Sequence, residues 1–289
     1  MKRLFTILCL VLLLCTGCGA EKEPHRIAAT TLPVYEFTAR LCRGTDLGVT
    51  RLVTESVSCL HDYTLNVRQV KAAEAAEVIV ISGAGLEEFM EDILHGKAVV
   101  DSASGMELQK CAKAHHHDHD HHHPEADAHI WLSPANAKIM ATNICQGLCA
   151  RYPEYEAVFQ ENLKVLLADL DALQAYGEEN LKALSSRDLI TFHDGFGYFA
   201  DSFGLHILEA VEEESGSEAS AQELKHLIGM VRDHDLKAIF IETNGSVSAA
   251  EVISRETGVP IYTLDMAMGG DSYFDAMYHN IDTIKEALS

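Results

Sequence analysis

Short apolar runs alternate with amphipathic segments along most of the chain, and this alternation predicts a parallel α/β fold. The run Val-Ile-Val-Ile at residues 78–81 is typical of a strand that helices cover on both faces. Predicted strands cover residues 26–31, 48–53, 78–81, 98–100, 188–192, 205–211, 238–241 and 261–264. Predicted helices cover residues 34–43, 66–76, 86–94, 134–151, 195–202, 221–234, 248–257 and 273–288.

A long helical pattern separates the predicted strands into two groups. It begins near Pro153 and continues to Leu184, with Gly177 as its only helix-breaking residue. About 30 helical residues at 1.5 Å each would extend roughly 45 Å, which is longer than one lobe of this size is wide. We therefore expect two lobes with parallel sheets, joined by one rigid helix. The predicted boundaries are an N-terminal lobe at 26–151, a linking helix at 152–185 and a C-terminal lobe at 186–289.

The first residues have the pattern of a bacterial export signal. Two basic residues precede an apolar stretch at residues 4–14, which is shorter than the roughly 20 residues that a membrane-spanning helix needs. Gly17-Cys18 resembles a lipobox, although Cys15 stands where Leu is usual. We predict a signal peptide at 1–17, lipidation of Cys18 and a polar tether at 18–25, so that the protein is extracytoplasmic and anchored to the cell membrane. Secretion without lipid is the alternative.

Eight cysteines are present, and five would remain outside the signal and the lipidated position. An extracytoplasmic compartment permits disulfides, but the odd number leaves at least one thiol unpaired or joined to another chain. The pairing stays open. The five are Cys42, Cys59, Cys111, Cys145 and Cys149, of which the last two share an apolar helix face.

Charge indicates a cationic partner. The chain has 44 acidic and 22 basic residues, for a formal net charge of −22. Such a chain repels nucleic acid and anionic lipid surfaces, which are bound by clustered cations. Acidity that serves solubility alone is the alternative interpretation.

Histidine is concentrated in one segment. Seven of the 16 histidines fall within residues 115–123, where no apolar face recurs. Imidazoles and carboxylates in a flexible segment bind divalent ions with poor geometry, so we expect a low-affinity metal collector; a dispensable loop is the alternative. The run contains His115, His116, His117, His119, His121, His122 and His123.

Four other residues are candidates for one well-formed metal site. His61 lies in the loop after the second predicted strand, and His129 follows the His-rich run. His193 and Asp265 each follow directly on a strand of the second half. Ligand groups collect at the carboxyl ends of parallel strands, and imidazole and carboxylate are zinc donors, so a cleft between the lobes would bring the four together.

Two further carboxylates lie near these candidates. Glu242 ends a predicted strand at the same sheet edge, and Asp194 is adjacent to His193. Either could orient an imidazole by hydrogen bonding. A structural or solvated role is the alternative for both.

At these residues the chain resembles the substrate-binding proteins of zinc and manganese ABC importers, in the zinc-uptake subgroup with a His-rich loop. The matching segments occur in family order and include the His-rich insertion. They are His61-Asp62-Tyr63, His129-Ile130-Trp131-Leu132-Ser133-Pro134, Phe192-His193-Asp194-Gly195-Phe196-Gly197-Tyr198-Phe199-Ala200 and Leu264-Asp265.

The resemblance implies two α/β lobes with the metal between them, held by His61, His129, His193 and Asp265. Members that carry manganese tend to have Glu at the position of His193, and three neutral imidazoles suit zinc. One departure is Met266, since family members usually have Pro after the Asp. The resemblance also implies an ABC permease, its ATPase and the membrane as partners of a monomer that transports metal and catalyses no reaction.

Three alternatives stay open on the sequence. The cargo could be Mn²⁺ or Fe²⁺ on the same fold. A zinc hydrolase could use the same ligands, but the chain lacks HExxH, Gly-x-Ser-x-Gly and a phosphate-binding loop. An adhesin is the third, because some family members have been described in that way.

Overall fold

A computed structural model describes residues 26–55, 60, 63–110, 126–211, 219–243 and 245–289. The predicted signal, Cys18, the tether, His61, Cys59, Cys111 and the His-rich run at 115–123 therefore lie outside the described residues.

Two parallel four-stranded sheets form the frame, as the alternating pattern predicts. The first has the strand order β2-β1-β3-β4 and the second has the order β6-β5-β7-β8. In each sheet the chain starts at an inner strand, moves to one edge and then crosses to the other side. The strands are β1 (Ile27–Ala29), β2 (Val49–Arg51), β3 (Val78–Ile81), β4 (Ala98–Asp101), β5 (Asp188–Thr191), β6 (His206–Ala210), β7 (Ile239–Glu242) and β8 (Ile261–Leu264).

Helices connect the strands and cover the sheets. Four of them begin at residues whose side chains cap the first turn, which is why they start there: Asn66, Ser133, Ser220 and Ser272 each accept a hydrogen bond from a backbone N–H of that turn. The helices are α1 (Leu32–Leu41), α2 (Val67–Ala75), α3 (Glu91–Leu94), α4 (Pro134–Arg151), α5 (Glu156–Leu181), α6 (Gly197–Phe203), α7 (Ala221–Asp233), α8 (Ser248–Thr257) and α9 (Tyr273–Leu288).

The helix predicted over residues 86–94 is shorter than its pattern suggests. A 3₁₀ turn occupies Glu88–Met90, and only the four residues of α3 are α-helical. Glu87 and Met90 have non-helical backbone angles (φ −95°, ψ 25° and φ −131°, ψ 18°), so the α-helix does not begin before Glu91. The predicted start was therefore too early.

Helix α5 is the long linking element, and it begins later and ends earlier, at Leu181, than predicted. Its 26 residues are preceded by a separate 3₁₀ turn at Pro153–Tyr155. Gly177 does not interrupt the helix. It is buried inside it, and a β-carbon there would lie 2.2 Å from the ring of Phe203. Gly177 therefore allows α6 to pack closely against α5 and does not break the helix.

The two sheets share one apolar core with α5. A single buried cluster contains Phe37 of α1, Leu166 of α5 and Phe199 and Met277 of the second half. Helix α5 packs against α1 and α4 on one side and against α6 and α9 on the other. The ring of Phe37 meets that of Tyr273 edge-on at 5.0 Å. The lobes are therefore packed against each other through apolar contacts as well as joined by the chain.

The cysteines of the described residues are free. Cys42 and Cys145 are buried, and the Sγ atoms of Cys145 and Cys149 lie 4.0 Å apart on α4. Burial raises the pKa of both Cys42 and Cys145 to about 12. These thiols behave as core side chains, as predicted for the pair on α4.

A buried carboxylate ties the ends of β1 and β3 together. Glu87 accepts hydrogen bonds from Thr30 Oγ1 at 2.6 Å, from the backbone N–H of Ser82 at 2.7 Å and from that of Gly83 at 2.9 Å. Burial raises the pKa of Glu87 to about 7, against the lowering effect of those donors.

Because the folded-state pKa of Glu87 lies above its unfolded value, stability should fall as pH rises from about 4.5 to about 7 and then level off. At about 1.4 kcal/mol per pKa unit, the difference between the two ends of that range is about 3 kcal/mol. Urea unfolding of the protein and of Glu87→Gln at pH 5 and pH 8 measures it. We expect the advantage of Glu87 over Gln to shrink at pH 8. Exposed Glu88→Gln is the control, and equal pH dependence in all three proteins would contradict the prediction.

Candidate metal site

Two of the predicted histidines meet between the sheets. His193 follows β5, and His129 immediately precedes a 3₁₀ turn (Ile130–Leu132) that leads into α4. Their Nε2 atoms lie 3.3 Å apart, and the two rings are perpendicular, with centroids 5.1 Å apart. The structure thus brings together one candidate from each half of the chain.

Asp127 sets the orientation of His129. Its Oδ1 accepts hydrogen bonds from both the backbone N–H and the Nδ1 of His129, each at 2.8 Å, and both side chains are buried. A proton on Nδ1 leaves Nε2 with a free lone pair, so this hydrogen bond selects the tautomer that can bind a metal. The Nε2 so exposed is the atom that faces His193.

Gly195 provides the space for the two imidazoles. A β-carbon at this position would lie 2.7 Å from His193 Cδ2, 2.7 Å from the terminal methyl of Met266 and 3.0 Å from His129 Cε1. A side chain of any size would therefore displace at least one ring. Gly195 is required here for close approach and not for an unusual backbone angle.

The loop after β8 is held against the same region. Trp131 Nε1 donates to the carbonyl of Met266 at 2.7 Å, and the backbone N–H of Leu32 donates to that of Met268 at 3.4 Å. Ala267 adopts a positive φ of 54°. These contacts fix the loop although it lacks the proline that family members usually have.

Asp265 has a defined structural task in that loop. Its Oδ1 accepts a hydrogen bond from the backbone N–H of Ala267 at 2.7 Å, and its own backbone is bracketed by the side chain of Asn280. Among the described residues, its carboxylate makes no hydrogen bond or ion pair with either imidazole. Ligation by Asp265 stays a prediction.

The remaining candidates are placed less directly. Glu242 is buried at the end of β7, with its carboxylate so close to Gly245 that a β-carbon there would lie 2.6 Å from Cδ. Asp194 is half-buried in the turn after His193. The orienting roles predicted for Glu242 and Asp194 stay predictions.

His61 lies outside the described residues, but neighbours on both sides of it are described. Leu60 is buried in the shared core, and Tyr63 donates a hydrogen bond from its hydroxyl to Glu55 at 2.7 Å. Within the described part of the chain, no group of three or more His, Cys, Asp or Glu side chains is arranged to hold a metal. The His129–His193 pair is the part of the predicted site that the structure brings together.

Two residues of the site were missed by the sequence reasoning. Asp127 stands two residues before His129 and so carried a local signal, a carboxylate beside a candidate ligand. Gly195 lies inside a motif already noted, but its function depends on contacts with Met266 and His129, which are distant in sequence.

A pair of parallel α/β lobes that share a long helix, with histidines meeting between the sheets, defines the class of two-lobed substrate-binding proteins. Within that class, residues 27–287 match the model of the family described as ZnuA, zinc-uptake complex component A periplasmic. The chain belongs to this family.

Curated relatives and solved structures agree with this assignment. A protein of Treponema pallidum (strain Nichols) whose name describes it as metal-binding is 30% identical over 96% of this chain and 94% of its own length. The high-affinity zinc uptake system protein ZnuA of Bacillus subtilis (strain 168) is 27% identical over 93% of this chain and 89% of its own length. A crystal structure of a ZnuA 138–173 deletion mutant with zinc bound superposes with a TM-score of 0.79 at 28% identity, covering 92% of this chain and 99% of that one.

Gly195→Ala should disturb both imidazoles, because the added methyl has no room. We expect a loss of about 1–3 kcal/mol in the free energy of unfolding, as for other overpacked interiors, together with shifted imidazole NMR resonances of His129 and His193. Gly229→Ala is the matched control. A β-carbon there meets nothing within 4 Å, and alanine favours the surrounding helix α7. Unperturbed imidazole resonances in Gly195→Ala would contradict the close packing of both rings around Gly195.

Proposed function

We propose that this protein captures Zn²⁺ outside the cytoplasm and delivers it to an ABC importer. The observation that carries the proposal is the separation of 3.3 Å between His129 Nε2 and His193 Nε2. Zinc–nitrogen bonds measure about 2.0–2.1 Å, so two nitrogens that share a tetrahedral zinc ion lie roughly 3.3–3.4 Å apart. The pair therefore has the separation that such an ion requires.

The proposed ligands are His61, His129, His193 and Asp265. Asp127 supports the proposal because it keeps the His129 Nε2 free of its proton. Three neutral imidazoles favour zinc over manganese, which prefers oxygen-rich shells. The relatives differ in the metals for which they are named: 27% identical ZnuA of Bacillus subtilis for zinc, 26% identical YfeA of Yersinia pestis for iron, and 24% identical MntA of Halalkalibacterium halodurans for manganese. Zinc as the cargo is thus part of the proposal.

Location and partners follow from the family and from the N-terminal sequence. We propose export, lipidation of Cys18 and function as a monomer with a permease and its ATPase. In the described part of the chain, none of the helices combines the length and apolar character that a bilayer crossing demands. Palmitate labelling that is lost in Cys18→Ala would support the anchor, and secretion of an unlabelled protein would contradict it.

The His-rich run at 115–123 is proposed as an accessory collector. It lies outside the described residues, so the proposal rests on composition alone. Seven imidazoles raise the local concentration of bound metal but offer no fixed geometry.

A competition titration of Zn²⁺ against Mn²⁺ on the metal-free protein tests the cargo and the site together. We expect one tight site that prefers zinc, persists when residues 115–123 are deleted and disappears in His193→Ala. His206→Ala is the matched control, because His206 is an exposed histidine on β6. Loss of tight binding with the run would place the receptor in the run, and preference for Mn²⁺ would retain the fold assignment but reject zinc as the cargo.

Zinc affinity should fall as pH is lowered. Metal binds only the neutral imidazole, so protons compete with zinc as pH approaches the usual imidazole pKa of about 6.5. Titrations at pH 7.5, 6.5 and 5.5 should show progressively weaker binding. Constant affinity over this range would exclude histidine nitrogens as the main ligands.

The alternatives of other classes make different predictions. A zinc hydrolase would turn over ester, peptide or phosphate substrates, and we expect no turnover because the family consists of transport proteins. An adhesin would bind a host protein. The laminin-binding protein of Streptococcus agalactiae, at 22% identity, shares the fold with this chain, and that likeness supports the fold alone.

A further inference from the structure

The two ends of the His-rich insertion form a short stem beside the candidate metal site. Lys110 and Ala126 pair as an antiparallel bridge, and the backbone N–H of Asp127 donates to the carbonyl of Gln109 at 2.9 Å. We call Gln109, Lys110, Ala126 and Asp127 the stem. One side of the stem carries Asp127, whose carboxylate orients His129.

Tyr198 of α6 makes hydrogen bonds to both sides of the stem. Its buried hydroxyl accepts a hydrogen bond from the backbone N–H of Gln109 at 2.9 Å and donates one to the carbonyl of Asp127 at 3.2 Å. A second contact comes from the same helix, since Gln109 Nε2 donates to Asp201 Oδ2 at 2.7 Å. Helix α6 thus holds the stem at two points.

The packing between α6 and the stem is close. A β-carbon at Gly197, the first residue of α6, would lie 3.3 Å from Asp127 Oδ2 and 3.3 Å from Gln109 Oε1. Helix α6 begins four residues after His193, so one short segment carries both a candidate ligand and the residue that holds the stem. The segment that carries His193 therefore also holds Asp127 in place.

We propose that Tyr198 is a positioning residue for metal binding: it fixes the stem, the stem fixes Asp127, and Asp127 sets the orientation and tautomer of His129 opposite His193. The inference rests on the proposed function. Tyr198 is not itself a proposed ligand. Its role is to hold the two imidazoles in the binding orientation before metal binds.

The expected size of the effect follows from other metal sites, where removal of a hydrogen-bonding partner of a ligand lowers metal affinity about 10–100-fold. Tyr198 acts one step further away, so Tyr198→Phe should lie at the low end, near tenfold. The phenylalanine ring keeps the packing and removes only the hydroxyl.

The experiment compares four full-length proteins with the unaltered protein: Tyr198→Phe, Asp127→Asn, the double variant and Tyr155→Phe. Tyr155→Phe is the matched control, because its hydroxyl donates to Asp46 at 2.6 Å, away from the stem. Zinc affinity and the zinc dissociation rate are measured for each protein. Long-range ¹H–¹⁵N NMR of the metal-free proteins reads the tautomer of His129, and thermal unfolding reports whether each variant is folded.

We expect Tyr198→Phe to weaken zinc binding about tenfold, mainly through faster dissociation, and to move His129 from the Nδ1–H tautomer toward a mixture. The double variant should bind zinc no more weakly than Asp127→Asn alone, because Tyr198 acts through Asp127. Tyr155→Phe should bind as the unaltered protein does.

The inference is overturned if Tyr198→Phe keeps both the affinity and the His129 tautomer, or if its effect adds in full to that of Asp127→Asn. Failure of the proposed function looks different. The unaltered protein would then lack tight zinc binding, while the tautomer measurement, made without metal, would still decide whether Tyr198 positions His129.

Discussion

The apolar core that both sheets share with helix α5 is the constraint on which the site depends. Interfaces between lobes are usually more polar than domain interiors, and relative motion is then the ordinary expectation. In this protein Phe37, Leu166, Phe199 and Met277 belong to one buried cluster that crosses from one half to the other. A large rotation of the lobes would expose that surface to water. The distance between the sheet edges is therefore set mainly by packing, before any ligand binds.

Hydrogen bonds across the same junction extend this fixed geometry to the site. Tyr273 donates from its hydroxyl to the carbonyl of Trp131 at 2.8 Å, while the indole of Trp131 donates to Met266. The terminal methyl of Met266 in turn lies beside Gly195, which both imidazoles also approach closely. Since each step joins buried groups, His129 and His193 are held facing each other, which would lower the entropic cost of the proposed metal binding. Such preorganisation favours tight binding by a small ligand.

The fold followed from the sequence because its signals are local. Apolar runs such as residues 78–81 and the long helical pattern after Pro153 report on their own neighbourhood, and both sheets and the linking helix were predicted correctly from them. The errors arose where distant residues decide. Gly177 was interpreted as a helix breaker, but the ring of Phe203 explains it as a packing residue. The helix predicted from residue 86 begins only at Glu91, because the backbone is not helical at Glu87 and Met90. The carboxylate of Glu87 is bound by Thr30, which is distant in sequence.

The site divides in the same way. His129 and His193 could be selected because each lies beside a recognisable element, and the structure brings them together. Tyr198 could not be selected as a partner of the stem, because nothing near it in sequence indicates Gln109 or Asp127. Its hydroxyl matters only once the fold has brought residues about 70 and 90 positions away against α6. Contacts of this kind form only in the tertiary structure. Sequence patterns therefore predict candidate ligands more readily than the residues that orient those ligands.

The proposed set of ligand atoms bears on which metal ion the site would bind. In the proposed site, the 3.3 Å between the two imidazole Nε2 atoms would suit an ion with short bonds and a tetrahedral shell. Asp265 Oδ1 accepts a hydrogen bond from the backbone N–H of Ala267, which holds the carboxylate that is proposed as the oxygen ligand. Manganese favours a shell richer in oxygen than three imidazoles and one carboxylate would provide. If His61 and Asp265 complete the site as proposed, three nitrogens and one oxygen form a four-coordinate set, and zinc is the divalent ion of this family that such a set suits best.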